Sequence, residues 1–475
     1  MRRADSTLWS LLFAILACVS IAQYSAMLGK ANLFGDFRAF YCAAKVTAEH
    51  RSPYELQPMQ QCQGIVPPTP APIPGYAIAA LIPLAQLPFN TAAIVWVIVM
   101  LGCIWLSVRF LIPLTGFQLP FIIASLLLPL VTMSIASGEL VPVAVLALVA
   151  AAYYLRKRNI SVAAGFIALS FIEPHVAVPA FIALLALVPK IRVPLCIAVV
   201  ALAALSLAVL GVHENVAYFS SVLPAHAASE LDAHFQYSLP TILHGLGVSD
   251  SASVTIGNVF FLLTIVAGLV CAKRLSAFYD DAAFVVLIPP AIALIGEPFI
   301  HLVQMPVAIP AVLLLASRAM GLRGVLLPAL ILLAIPWQAG SAVYEIWIAG
   351  LVIAFYLAYA YAGTRVAAAS IAGAVAIALL LALSAQYTPA SHVHPPKNLP
   401  AAAMRNSAEQ AWASYVTTSD FASPARWIQR IPTWAGLILL VTAVAASSRT
   451  AGKARSTPRR ARNRRWGFPP ARLKP

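Results

Sequence analysis

Charge is what this sequence has least of. Asp, Glu, Lys and Arg make up 10% of its 475 residues, and only 16 residues are acidic. With 61% hydrophobic residues and a mean hydropathy of +0.86, an ordinary soluble domain is excluded. Several catalytic signatures are also missing: Walker A, the dinucleotide fingerprint, the Gly-x-Ser-x-Gly elbow and the Asp-x-Asp pair of metal-dependent sugar-nucleotide enzymes. These absences remove P-loop nucleotide hydrolysis, Rossmann redox chemistry and α/β-hydrolase chemistry from consideration. There are six cysteines. Cys18, Cys103, Cys196 and Cys271 fall within or beside apolar runs and read as packing residues. Cys42 and Cys62 share one polar loop, where a disulfide and two free thiols are equally open readings.

What the sequence does have is a succession of apolar runs, each long enough to cross about 30 Å of hydrocarbon. They predict an all-α, polytopic integral membrane protein with about 12 transmembrane helices plus re-entrant or short hairpin elements. Leu8–Leu28 reads as a retained first span rather than a removed signal peptide. The membrane-embedded domain is expected over 1–448, and a basic tail, poorly ordered because of its Pro and charge, over 449–475. A Pro-broken stretch at 161–189 is too long for one span and short for two. If it returns to its own side, Arg109, Arg156-Lys157-Arg158, Lys190, Arg192, Lys273-Arg274, Arg318, Arg323 and Arg365 all share one face. Positive-inside bias then puts both termini in the cytoplasm. The net charge of +15 is thereby explained by anionic headgroups, with no call for nucleic acid. Loop size and the lack of eukaryotic sorting signals point to a bacterial inner membrane.

The opposite face carries loops near 30–75, 211–250 and 387–433, and turns bearing Gly138-Glu139, Glu173-Pro174-His175 and Glu297-Pro298-Phe299-Ile300-His301. Taken singly, such residues mark an interface. Gathered at one depth, they suggest a shared polar cavity. Asp36 to His50 reads as a short helix. There Asp36 is either an N-cap or a base, Phe37, Phe40, Tyr41 and Ala44 lie against the membrane, and Arg38 and Lys45 meet lipid phosphate. The run Pro67–Pro74 is expected to be extended, followed by a re-entrant or interfacial helix from Tyr76 to Pro88. Trp412, Tyr415, Trp427 and Trp434 suggest an aromatic interfacial lid. The histidines lack the tight spacing of a zinc motif, so neither a metal nor a cofactor is expected.

Gly35-Asp36-Phe37-x-x-Phe40-Tyr41-x-Ala43-Ala44, then Ser52-Pro53-Tyr54, then the Pro-rich run into Tyr76–Pro88, resembles glycosyltransferase family 87. Gly138-Glu139, Glu173-Pro174, Gln236-Tyr237-Ser238-Leu239 and Glu297-Pro298 with His301 continue the resemblance in order over roughly 30–320. It implies a GT-C-type enzyme taking a hexose, typically mannose, from a polyprenyl phosphosugar. Asp36 matches the family's general base, and His301 a histidine near the donor phosphate. The chain departs from the family pattern at Glu139 (Gln), Glu173-Pro174 (Lys-Pro) and Glu297-Pro298-Phe299-Ile300 (Ser-Pro-x-x-Trp).

The chemistry asks for one base to take the acceptor hydroxyl proton and for donors to stabilise the departing phosphate. Asp36 is the candidate base. Arg38, Lys45, Glu139, Glu173, His175, His234 and His301 are the candidate donor-phosphate or substrate-binding residues. The acceptor would be lipid- or glycan-linked, on the extracytoplasmic face, with inversion. A transporter or flippase of lipid-linked glycans, or an inactive scaffold, is the alternative.

Overall fold

A computed structural model describes residues 34–233, 236–298, 300–334, 407–418 and 430–456. The described residues are mainly helical, joined by turns and by a non-helical stretch over 64–74 that holds the Pro-rich run, with a single bridge between Gln236 and His301. Four helical runs are long and apolar enough to cross a membrane: α4 (Phe89–Thr115), the kinked run Pro189–Ser229, α10 (Asp250–Tyr279) and the part of α13 (Ile431–Ser456) up to Ala451. The run Pro189–Ser229 contains α8 (Arg192–Ala217) and α9 (Leu223–Ser229). It bends at Gly211, whose φ of 71° lies in the left-handed region. Asn215 Nδ2 bridges the bend, donating to the carbonyls of Ser206 and Gly211 at 3.1 and 2.6 Å.

The protein is therefore a helical membrane protein, and the described residues give four such runs, which does not support the expected count of about 12 spans. The apolar helices α3 (Gly75–Ala85), α5 (Val141–Arg156), α6 (Ile160–Ser170), α7 (Pro174–Leu187) and α11 (Ala283–Ala293) have 11, 16, 11, 14 and 11 residues. At 1.5 Å per residue, these reach only about 16–24 Å. Apolar content alone does not reveal where the chain turns. Here it turns at carboxylates and prolines: at Glu139, at Glu173-Pro174, and at Glu297 after the Pro289-Pro290 pair inside α11. The stretch 161–189 resolves into α6 and α7, joined through Phe171–Glu173. The expected first span, Leu8–Leu28, lies outside the described residues.

Outward-facing Val193, Ile197 and Val200 on α8, with Val259, Leu262 and Val266 on α10, are exposed. Apolar and left uncovered by the other described residues, these sides of the two spanning helices have the character of lipid-facing surface. At the non-acidic end of α5, Arg156 donates through Nε to Asp281 Oδ1 at 2.9 Å, and Arg318 Nη2 lies 3.1 Å from Asp281 Oδ2. Glu139 precedes the other end of α5, so the acidic turn and this cationic cluster sit at opposite ends of one helix.

Candidate active site

Helix α1 (Gly35–Ala48) and the turn before α5 build the first half of the site. Phe34 enters α1 in the left-handed conformation, with φ 59° and no side-chain cap. Asp36 is thus not the N-cap but a residue of the first turn, free to point elsewhere. Its carboxyl group is hydrogen-bonded to Glu139 and Ser137. The turn that brings Glu139 there depends on Gly138. Its φ is +83°, and a Cβ on it would stand 2.4 Å from Phe37 Cβ. Phe34 N, at the entry of α1, donates to Ala136 O at 3.1 Å, and Trp96 Nε1 of α4 donates to Gly138 O at 2.9 Å, so the turn is held between α1 and α4.

Phe37, Phe40, Tyr41 and Ala44 are buried inside the protein rather than against lipid. Phe37 stacks on Trp96 with centroids 5.7 Å apart, and the Tyr41 hydroxyl donates to Leu87 O at 2.8 Å. Helix α1 is short of neither partner nor cover because α3, the expected re-entrant element, packs beside it within the same buried cluster. Cys42 and Cys62 form a disulfide with a Cα separation of 5.6 Å, fixing α1 to α2 (Leu56–Gln63).

The second half of the site comes from the loop after α9 and from the turn after α11. Glu230 is 3% exposed and hydrogen-bonded through both carboxylate oxygens. Its Oε2 accepts from Gln236 Nε2 at 3.0 Å and lies 3.2 Å from His301 Nε2, while Oε1 accepts from Trp412 Nε1 at 3.1 Å. Gln236 also accepts from Ile300 N at 2.8 Å, which fixes the turn leading into His301. His301 N in turn donates to Gln304 Oε1 at 2.7 Å. His175 Nε2 lies 3.6 Å from Glu173 Oε2 and 4.0 Å from Glu297 Oε2.

These groups converge on one cavity of about 350 Å³. Asp36, Glu139, Glu173, His175, His226, Glu230, His301 and Trp412 line it, with Phe40, Pro72, Tyr218 and Gln304 among its other walls. Five of the sequence-predicted site residues are therefore brought together: Asp36, Glu139, Glu173, His175 and His301. Arg38 and Lys45 are not. The Arg38 guanidinium sits over the Phe89 ring at 4.7 Å and Lys45 is exposed, so neither serves the cavity. His234 lies outside the described residues. No lysine or arginine lines the cavity among the described residues.

Sequence reasoning missed Glu230 altogether and did not assign His226 or Trp412 to the site. The available signal was scarcity: with 16 acidic residues in the chain, any carboxylate in an external loop earns scrutiny.

The electrostatics divide the carboxylates. Burial raises Asp36, while hydrogen bonds from Glu139 and Ser137 pull it back. Glu139 is pushed well above the usual carboxylate range by burial and by the charges of Asp36 and Glu173. The two thus behave as a proton-sharing pair in which Glu139 holds the proton and donates to the Asp36 carboxylate. Burial, with the Asp36 charge, pushes Glu173 up to about 8. Burial alone would raise Glu230 too, but the His301 hydrogen bond and charge, His226 and Gln236 outweigh it and hold it below the usual range. The site accordingly contains one proton-accepting carboxylate, two protonated carboxyl donors, a buried anion and several imidazoles.

A buried polar cavity at one end of a helical, lipid-facing protein, with a hydrogen-bonded carboxylate in its wall, defines a membrane-embedded protein equipped for proton-transfer chemistry on a polar substrate. Residues 74–295 match the family model of glycosyltransferase family 87, a family of membrane glycosyltransferases to which this stretch is similar. The matched range includes Glu139, Glu173, His175 and Glu230, and it begins after Asp36 and ends before Glu297 and His301. No curated protein matches the chain.

Proposed function

We propose that the protein transfers a hexose from a polyprenyl phosphosugar to a lipid- or glycan-linked acceptor, with inversion, on the extracytoplasmic face of a bacterial inner membrane. In this reading both termini are cytoplasmic, and the Arg156–Asp281–Arg318 end of the helices faces the cytoplasm. Asp36 takes the proton of the acceptor hydroxyl as that oxygen bonds to the anomeric carbon. The anomeric C–O bond to phosphate breaks on the opposite side, and the phosphate leaves with the bonding pair. Imidazoles of His175, His226 and His301 and the protonated Glu173 supply the donors that a departing phosphate needs.

The observation that carries this reading is the Asp36–Glu139 pair in the cavity wall. One carboxylate is kept available as a base by a neighbour that cannot compete with it for the same proton. The transporter alternative gains no particular support, because the titratable groups cluster in one cavity at the helix ends.

The test is turnover of a panel of radiolabelled polyprenyl phosphosugars by protein in nanodiscs, with membrane lipid extract as acceptor. Wild type transfers label from at least one donor. Asp36→Asn retains its fold and donor binding and loses transfer by at least a hundredfold. Equal transfer by both proteins removes Asp36 from the chemistry. An inert wild type rejects the enzyme reading.

A further inference from the structure

Helix α12 (Ala408–Thr418) lies far along the chain from the family-matched region, yet it closes one wall of the cavity. Its seat is specific. Ala408 N donates to Tyr54 O at 3.1 Å, which ties its first turn to the loop after α1. Glu409, 2% exposed, pairs with His226 Nδ1 at 3.1 Å. One turn on, Trp412 faces the cavity on the same side of the helix. An interfacial anchor would direct its indole N–H toward headgroups and water. Here the N–H is spent inward, on the buried Glu230, and the Tyr415 ring backs the indole at 5.5 Å. The result is a large flat aromatic surface, held in place and only partly covered, beside a carboxylate that is itself positioned by Gln236 and His301.

A hexose has one face of aliphatic C–H groups and a rim of hydroxyls. A fixed indole next to a hydrogen-bond acceptor is the surface complementary to that shape. We infer that Trp412 is a stacking platform for a hexose ring in the cavity, with Glu230 Oε1 accepting from one of the ring hydroxyls beside the bond it already receives. Glu230 Oε1 can do so because a carboxylate oxygen has two lone pairs and, among the described residues, one N–H, that of Trp412, is directed at it. The inference rests on the glycosyltransferase reading and deepens it, by naming a binding residue outside the family-matched stretch. The ring belongs to the donor or to the acceptor, and kinetics separate the two.

The test uses full-length wild type, Trp412→Leu, Trp412→Phe and Asp36→Asn in nanodiscs. Methyl and butyl α-mannosides, glucosides and galactosides are titrated by saturation-transfer NMR, and turnover is measured in parallel. At least one hexoside binds wild type. Trp412→Leu weakens it tenfold or more, while Trp412→Phe, which keeps an aromatic ring, stays within threefold; Asp36→Asn serves only as the blank for turnover. In turnover, Trp412→Leu raises the KM of whichever substrate carries the stacked ring, donor or acceptor, by the same factor. If thermal melting shows that Trp412→Leu does not fold, Trp412→Gln replaces it, because Gln keeps an N–H donor for Glu230 and loses the ring.

Hexoside binding that is absent in wild type, or equal in the ring-less variant, overturns the platform. Transfer by wild type with unchanged KM in that variant sinks the platform and leaves the transferase standing. Ring-dependent hexoside binding by a wild type that transfers from no donor does the reverse.

Discussion

Replacing Glu139 tests the proton-sharing pair more sharply than replacing Asp36, because the sign of the effect reports which partner holds the proton. Asp36 accepts a hydrogen bond from Glu139, and that bond lowers its pKa against the raising effect of burial. A hydrogen bond to a charged group is worth about 1.5–3 kcal/mol. Removing it shifts the balance between ionised and protonated Asp36 about ten- to a hundredfold toward the acid. In Glu139→Leu the acid limb of the kcat/KM profile therefore moves to higher pH, and rates on that limb fall by about the same factor. Glu139→Gln keeps an N–H donor of similar reach, so its limb stays near that of wild type. The assay is transfer of labelled sugar across a pH series, with melting curves to show that both variants are folded. If Glu139→Leu moves the limb to lower pH instead, Glu139 was an anion repelling Asp36, and the assignment of the shared proton is wrong. An unmoved limb means that the two groups do not communicate.

Three further outcomes follow from local geometry. Gly138→Ala places a Cβ 2.4 Å from Phe37 Cβ at a φ of +83°, so the turn must shift. It costs more than about 1 kcal/mol of stability in thermal melts and lowers transfer by displacing Glu139. Glu173 has a folded pKa raised to about 8, so its favourable contribution is complete below the ordinary carboxylate range and is lost as pH rises toward 8. Glu173→Gln accordingly melts higher than wild type at pH 8 and no higher at pH 4, and it abolishes any rise in donor KM between pH 7 and 9. Reducing the Cys42–Cys62 disulfide, which closes a 20-residue separation, removes about 3 kcal/mol by the chain-entropy account. Cys42→Ser/Cys62→Ser shows this as a lower melting temperature and as reduced transfer, because Cys42 shares α1 with Asp36.

How legible the site was depended on the kind of signal. Asp36, Glu139, Glu173, His175 and His301 stood out because titratable groups are rare here and sat at the ends of apolar runs. Arg38 and Lys45 were chosen for their charge, although helical phase argued against them. At 100° per residue, Arg38 lies about 200° from Asp36 and Lys45 about 180° from it, on the far side of α1. Phe40, about 40° away, is the α1 residue that joins Asp36 in the cavity wall. Phase also argues against the lipid-facing reading of the α1 aromatics: Phe37, Phe40, Tyr41 and Ala44 fill an interior face. The Glu230–Trp412 bond spans 182 residues, and no local pattern encodes such a meeting. The short apolar helices among the described residues escaped the span count for a related reason. Composition measures how apolar a segment is, whereas Pro and a buried carboxylate decide where it stops.

The same distinction between counting charges and locating protons bears on the family departures. A cavity walled by Asp36, Glu139, Glu173 and Glu230, with no arginine or lysine among the described residues that line it, looks hostile to a phosphorylated donor. Yet at neutral pH Glu139 is held well above the usual range and Glu173 near 8, so both present O–H groups rather than negative charge. Glu230 is the ionised member, and its charge is already taken up by His301, Gln236 and Trp412. Only Asp36 is left as an unneutralised acceptor. A protonated carboxyl group at Glu173 can donate to a phosphate oxygen, as the family's lysine at that position would, without a permanent charge. It does so only below its own pKa. On the proposed reading, Glu in place of Lys would therefore change the pH range over which the site accepts an anionic leaving group more than its ability to accept one.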